Sequence, residues 1–263
     1  MMVLKNFTVP LFVPGNRPER FEKAAASGAD AIIIDLEDAV AADAKQAAGA
    51  ALRADFTDLP VLVRINGEGT PWHEDDLAAV SRLPVAAVIV PKAELGGGLA
   101  ALAADSAVPI IALVETARGL SEARQIAALP GVSRLAFGSV DFCADLGCAH
   151  TREALLAARS ELVLASRLAG LVAPLDGVTT SIDDGEQIEA DARYALELGF
   201  GGKLAIHPRQ IEAIRAGFRP QASEIEWAKK VLASGDGAAA VDGAMVDEPV
   251  RIRARAILAR AAG

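Results

Sequence analysis

Short apolar runs rich in β-branched residues alternate along the chain with longer, Ala-rich amphipathic stretches. Eight runs read as strands: Thr8–Val13, Ala31–Asp35, Val61–Asn66, Ala86–Lys92, Ile110–Glu115, Arg134–Gly138, Ala173–Val178 and Lys203–His207. They are almost unbroken by polar residues, the pattern of strands buried on both faces and hence of a parallel sheet. The stretches between them read as helices with recognisable ends: Arg17–Ser27 before Gly28, Ala154–Ala169 before Gly170, and Asp183–Leu198 before Gly199. Glycine just past a helix relieves the strain of a left-handed turn. Eight strand–helix repeats, rather than five or six, predict an α/β fold closed into a (β/α)8 TIM barrel.

Beyond the eighth strand the pattern changes. Gln210–Ala216 and Ser223–Ala233 predict short helices, Ser234–Ala240 is Gly/Ala-rich and reads as flexible, and Val250–Ala262 predicts a last helix. The chain has 263 residues, and such barrels take ~250. Residues 1–218 are therefore expected to form the catalytic barrel. Residues 219–263 are too few for a second domain, so a C-terminal helical arm or lid of the same domain is expected, one able to cross to a neighbouring subunit.

Composition narrows the partners. Hydrophobic residues make up 52%, enough for a substantial core. The net charge of −9 and pI near 4.9 argue against a nucleic-acid binder, which needs clustered Lys and Arg. A small anionic substrate is not excluded, because a few local cations can hold one. No apolar stretch reaches the ~20 residues that span a bilayer, and Pro10 and Pro14 break the N-terminal apolar run. A cytoplasmic protein without membrane association is expected. Cys143 and Cys148 lack zinc-site spacing and read as reduced thiols. The Gly96-Gly97-Gly98 run lacks a Walker lysine and reads as a loop or helix start.

Barrel chemistry sits at the C-terminal ends of strands, and the predicted strands do end in polar residues. Strand two runs into Asp35, Glu37 and Asp38, strand three into Arg64 and Asn66, and strand four into Lys92. Strand five runs into Glu115, strand six into Asp141, and strand eight into His207. Glu115 and Asp141, on adjacent strands, are the expected metal ligands. Mg²⁺ is often held by one or two carboxylates, with water and substrate oxygens completing its shell. Arg64 offers a rigid donor fork to a substrate carboxylate or oxyanion, and a structural ion pair with Asp35 or Glu37 would orient it. Three uncompensated carboxylates would repel one another. Glu37 and Asp38 are therefore expected to bind Arg64 or metal-bound water, with Asp35 near the substrate. Lys92 would serve a Schiff-base aldolase as nucleophile; beside the carboxylate pair it reads as electrostatic support. His207 reads as a base or as a turn-fixing residue. His73 and His150 fall in loops, with no further signal.

These residues lie in motifs that resemble the citrate lyase beta-subunit-like (CitE-like) branch of the HpcH/HpaI aldolase/citrate lyase superfamily. The motifs are Leu11-Phe12-Val13-Pro14-Gly15-Asn16, Asp35-Leu36-Glu37-Asp38-Ala39-Val40, Val63-Arg64-Ile65-Asn66, Val114-Glu115-Thr116-Ala117, Gly138-Ser139-Val140-Asp141-Phe142 and Gly201-Gly202-Lys203-Leu204-Ala205-Ile206-His207-Pro208. Each is weak alone; six in order along the whole chain are specific. The resemblance implies a (β/α)8 barrel, commonly a homotrimer, that uses Mg²⁺ to cleave a 3-hydroxyacyl thioester to acetyl-CoA and a keto acid. It implies Glu115 and Asp141 as the metal ligands and Arg64 as the substrate-binding arginine. Its tail motif falls on Gly243, Met245, Asp247 and Pro249, and implies that Asp247 works in a neighbouring subunit's site. Val246 and Phe142 depart slightly from the family's usual isoleucine and leucine.

Citramalyl-CoA and malyl-CoA are the leading expected substrates, with citryl thioesters next. A true citrate lyase beta subunit would instead work with an acyl-carrier partner. A class II pyruvate aldolase acting on free acids is the rival on the same barrel, but the early strands lack the histidine base such enzymes use. A non-enzymatic thioester-binding subunit would be expected to lack the ligand residues, and all are present. Arg17, Arg20 and Lys23 are candidates for the nucleotide part of coenzyme A, or simply a solvated helix face.

Overall fold

The computed structural model describes residues 6–96, 98–235, 237 and 239–262. Of the segments singled out above, Gly97 in the glycine run and Asp236 and Ala238 in the Gly/Ala-rich stretch lie outside the described residues.

Eight parallel strands follow one another in chain order: β1 Pro10–Pro14, β2 Ala31–Asp35, β3 Val61–Arg64, β4 Ala87–Val90, β5 Ile110–Val114, β6 Val132–Phe137, β7 Leu175–Asp176 and β8 Gly202–Lys203. Just beyond β8, the Phe12 N–H donates to the Ala205 carbonyl at 2.9 Å, and the Ala205 N–H to the Pro10 carbonyl at 3.0 Å. These bonds close the sheet on itself, so the barrel has no free edge. The closed (β/α)8 architecture is the one expected from the eight repeats.

Several strands stop short of their expected ends, because the chain leaves the ladder where it becomes polar or loses a donor. Proline has no N–H to give. Pro91 follows β4 and Pro174 precedes β7. Lys92 then turns through a left-handed conformation at φ 48°.

The barrel interior is packed with Ala31, Ile33, Leu62, Ile89, Ile111, Leu113 and Leu175, among others. Side chains alternate along a strand, so every second residue points inward. Arg134 plugs this interior from below. It donates from Nε to the Ala173 carbonyl at 2.8 Å and from Nη1 to the Phe7 carbonyl at 2.9 Å. With no carboxylate beside it among the described residues, burial pulls its pKa down to about 9.

Outside the strands, the expected helix at Arg17–Ser27 is shorter: a 3-10 turn at Pro18–Arg20 runs into helix Phe21–Ala25. The two longer expectations match more closely, at Arg152–Leu168 and Gly185–Leu198. His73 does not lie in a loop. It opens helix His73–Val80, with Nδ1 held 2.9 Å from the Asn66 carbonyl.

By its internal contacts the chain separates into two compact units, Met1–Gly217 and Phe218–Gly263. The second unit holds helix Ala222–Ala233, the antiparallel strands Ala239–Val241 and Ala244–Val246, and helix Glu248–Ala262. Part of the stretch read as flexible therefore pairs as a strand. Asp242 and Gly243, both at positive φ, supply the Asp-Gly turn that a two-residue hairpin demands. Ala228, Val231, Val246, Ala254 and Ile257 form this unit's own apolar cluster. Among the described residues no helix is long and apolar enough to cross a membrane.

Candidate active site

The two-residue strand period decides which side chains reach the barrel mouth. Ile33, Leu62 and Leu113 face the interior core. Asp35, Arg64 and Glu115, each two residues further on, face the same way at the C-terminal ends of β2, β3 and β5. All three line one cavity of about 350 Å³, together with Phe12, Asp38 and Asp141.

Arg64 is the best-anchored group there. Its Nε and Nη2 donate to the two oxygens of Asp35 at 2.7 Å each. Its Nη1 lies 3.1 Å from Glu37 and 3.4 Å from Asp38, and the Phe12 ring sits 4.9 Å below the guanidinium. Burial opposes the charge, but the hydrogen bond to Asp35 and the surrounding carboxylates outweigh it and raise the arginine's pKa. Asp35 also accepts the backbone N–H groups of Glu37 and Ala39 at 3.0 Å each. Four hydrogen bonds exhaust its lone pairs, so Asp35 positions Arg64 and has no acceptor left for the substrate contact expected of it.

Glu37 and Lys92 form the second arm of the network. The Lys92 ammonium donates to Glu37 at 2.7 Å and lies 3.8 Å from Glu115. Burial would lower the lysine's pKa, yet the hydrogen bond and charge of Glu37 raise it. A lysine held protonated is a poor Schiff-base nucleophile, which agrees with the supporting role. Glu37 itself is raised, first by burial.

Glu115 is 1% exposed. Its Oε1 accepts the Lys92 backbone N–H at 2.8 Å, while its Oε2 is buried without a hydrogen-bond partner. Burial, then repulsion from Glu37 and more distantly from Asp141, pushes its pKa up to about 8. A buried acceptor facing a cavity and lacking a donor is what a hard cation would satisfy. Asp141 faces the same cavity from the first turn of helix Ser139–Leu146 and is exposed. Among the described residues no group of three or more His, Cys, Asp or Glu side chains is arranged to hold a metal. A pair of carboxylates facing one cavity suits Mg²⁺, which takes water and substrate oxygens at its remaining positions.

The other expected residues fall elsewhere. His207 caps the 3-10 turn Pro208–Gln210, its Nδ1 accepting from the Arg209 N–H at 3.2 Å. That is the turn-fixing role. Asp247 lies in the second unit, where Oδ1 accepts the Val250 N–H at 3.3 Å at the start of helix Glu248–Ala262.

Two residues of the quoted motifs take roles that the sequence reading did not assign. Phe12, the platform for Arg64, looks like any strand hydrophobe. Gly138 permits Glu115 its position, since a Cβ there would collide with the glutamate side chain. Its only signal was a glycine where a strand meets a helix.

Fold and pocket together define the class: a (β/α)8-barrel enzyme with its acidic and guanidinium groups gathered at the C-terminal mouth. Residues 8–208 match the model of the HpcH/HpaI aldolase/citrate lyase family, and the chain belongs to that family. A citrate lyase subunit beta-like protein of Mycobacterium tuberculosis is 41% identical over 95% of this chain and 94% of its own length. A (3S)-malyl-CoA thioesterase of Cereibacter sphaeroides is 37% identical over 97% of this chain and 94% of its own. Among solved structures, CitE from M. tuberculosis in complex with magnesium, acetoacetate and coenzyme A superposes with a TM-score of 0.90 at 39% identity. The match covers 99% of this chain and 100% of that one.

Proposed function

We propose that this protein is a Mg²⁺-dependent carbon–carbon lyase that cleaves a 3-hydroxyacyl-CoA thioester, of the citramalyl, malyl or citryl type, to acetyl-CoA and a keto acid. The observation that carries the reading is the Glu115 carboxylate, buried with one oxygen unpartnered in a cavity that also holds Asp141 and Arg64. The relatives named above support the magnesium, the coenzyme A and the family of small hydroxy and keto acids.

Glu115 and Asp141 would hold the ion, which would supply Lewis-acid polarisation to the substrate's oxygens. Arg64, fixed by Asp35 and Phe12, meets the negative charge that builds on oxygen as the carbon–carbon bond breaks. Being held in place beforehand, it need not reorganise during the reaction. Glu37, Asp38 and Lys92 keep Arg64 and Glu115 in place and partly balance their charges. Asp247 protonates the carbon that becomes the methyl group of acetyl-CoA, acting in the site of a neighbouring subunit within a homotrimer. The second unit is the arm that carries it there. The enzyme works in the cytoplasm as a stand-alone protein, without an acyl-carrier partner.

The Cereibacter relative favours a second reading, hydrolysis of the thioester itself. Against the class II aldolase reading, no histidine is among the residues described as lining the cavity. Incubation with Mg²⁺ and a panel of hydroxyacyl-CoA compounds separates these. Keto acid appearing with acetyl-CoA is the expected result. Free coenzyme A with an intact hydroxy acid would mean hydrolysis, and cleavage of free hydroxy acids would mean an aldolase. No turnover of any thioester would sink the proposal.

A further inference from the structure

A second cavity, of about 320 Å³, opens beside β7 and is lined from both helix Arg152–Leu168 and helix Gly185–Leu198. Its charge does not balance. Asp176 is fully buried and accepts from Arg159 Nε at 2.8 Å and from Lys203 Nζ at 2.9 Å. Two cations therefore share one carboxylate. At the mouth, Arg152 and Asp191 pair at 2.9 Å and cancel. One positive charge is left over, and a buried charge without a counter-charge is costly.

The surplus has a definite direction. Arg159 is only 6% exposed, and the Phe137 and Tyr194 rings each lie 5.8 Å from it. Its Nε is committed to Asp176, but its two terminal nitrogens donate to no described residue, and the side chain lines the cavity. A guanidinium immobilised by an ion pair and two rings, with its outer donors open, is preorganised for a planar or tetrahedral oxyanion. Thr151 and Thr180 add hydroxyls to the wall. The field there is positive enough to act on His150, whose pKa is lowered by burial and then by Arg159 and Lys203.

We propose that this cavity binds a small oxyanion, a carboxylate or a phosphate, on the free donors of Arg159. The site is separate from the Glu115–Asp141 pocket. Val178 lines both cavities, so occupancy of one is positioned to influence the other. The inference does not rest on the lyase reading, because no metal-ligand candidate takes part in it.

Calorimetric titration of the full chain with inorganic phosphate, and separately with acetate, at constant ionic strength tests it. Runs with EDTA and with Asp141→Ala exclude binding that depends on a metal in the other pocket. Saturable binding of at least one anion, unchanged in both of those runs, is expected; which one binds identifies the ligand as phosphate or carboxylate. Arg159→Lys keeps the charge beside Asp176 but removes the fork, and should weaken binding roughly tenfold or more. Thr180→Glu brings a carboxylate to the mouth from an exposed position, leaves the buried charges alone, and should abolish binding even if Arg159→Lys fails to fold. Absence of saturable binding overturns the proposal, as does binding that survives Thr180→Glu or is lost in Asp141→Ala.

Discussion

If Glu115 holds the metal as proposed, its proton balance should make the metal-free and metal-loaded proteins behave differently with pH. Its pKa in the fold is about 8, against an ordinary value of 4.5. The folded chain therefore holds a proton that the unfolded chain has lost across that interval. The contribution of this group to stability is complete below about pH 4.5 and is lost as pH rises through about 8. Metal-free protein should thus melt at falling temperature between those limits, and Glu115→Gln should flatten that part of the profile. In the same window a cation must displace the proton, so Mg²⁺ affinity should rise with pH and level off above about 8. Calorimetry in buffers of different ionisation enthalpy would register the released proton. A Mg²⁺ affinity independent of pH, or undiminished in Glu115→Gln, would remove Glu115 from the metal site.

At Asp35 the expectation is structural. Asp35→Asn leaves Arg64 buried with one charge partner fewer. Breaking a buried pair costs roughly 3 kcal/mol or more, which denaturant unfolding measures directly. Activity should fall as well, because the guanidinium loses its fixed orientation. Asp35, Arg64, Glu115 and Asp141 were legible in the sequence for a simple reason: each ends or follows an apolar run that has no other use for a charge. Arg159 was not, since one arginine on an amphipathic helix reads the same whether it faces water or a buried aspartate. The Asp35–Arg64 ion pair was also anticipated, but not that it would take up the acceptors of Asp35 and leave none for substrate, because a strand pattern gives direction without hydrogen-bond geometry.

At the scale of elements, one irregularity sets the register of the site. Ile110 pairs with Val132 but Ile111 pairs with Arg134, so β6 bulges at Ser133. From there Leu113 faces Ala136 and Val114 faces Phe137, and the next step brings Gly138 beside Glu115. Without the bulge, Phe137 would occupy that place. Gly138→Ala should therefore cost about 1–3 kcal/mol, by forcing the glutamate side chain aside, and should weaken Mg²⁺ binding with it. Wild-type affinity in that variant would show that Glu115 has another conformation open to it. Sequence pattern predicted the eight strands because burial on both faces leaves a strong signal, but it ran several of them past their true ends. Prolines and left-handed residues stop hydrogen bonding before hydrophobicity stops.

For the whole molecule, the closed barrel was readable from eight repeats in order, whereas the work of the tail is a question about more than one chain. Asp247 sits in the second compact unit, at the start of its last helix. If it serves a neighbour's site, two inactive variants should rescue each other. Glu115→Ala should destroy the proposed metal site but keeps Asp247, and Asp247→Asn should do the reverse. Unfolded, mixed in equal amounts and refolded together, they should regain about a quarter of wild-type activity, since an active site needs one subunit of each kind in the right order. Were Asp247 to act within its own subunit, every site in the mixture would lack one group and no activity would return. Asp247→Asn alone should bind Mg²⁺ nearly as wild type does while turning over nothing, and full turnover in that variant would take Asp247 out of the chemistry altogether.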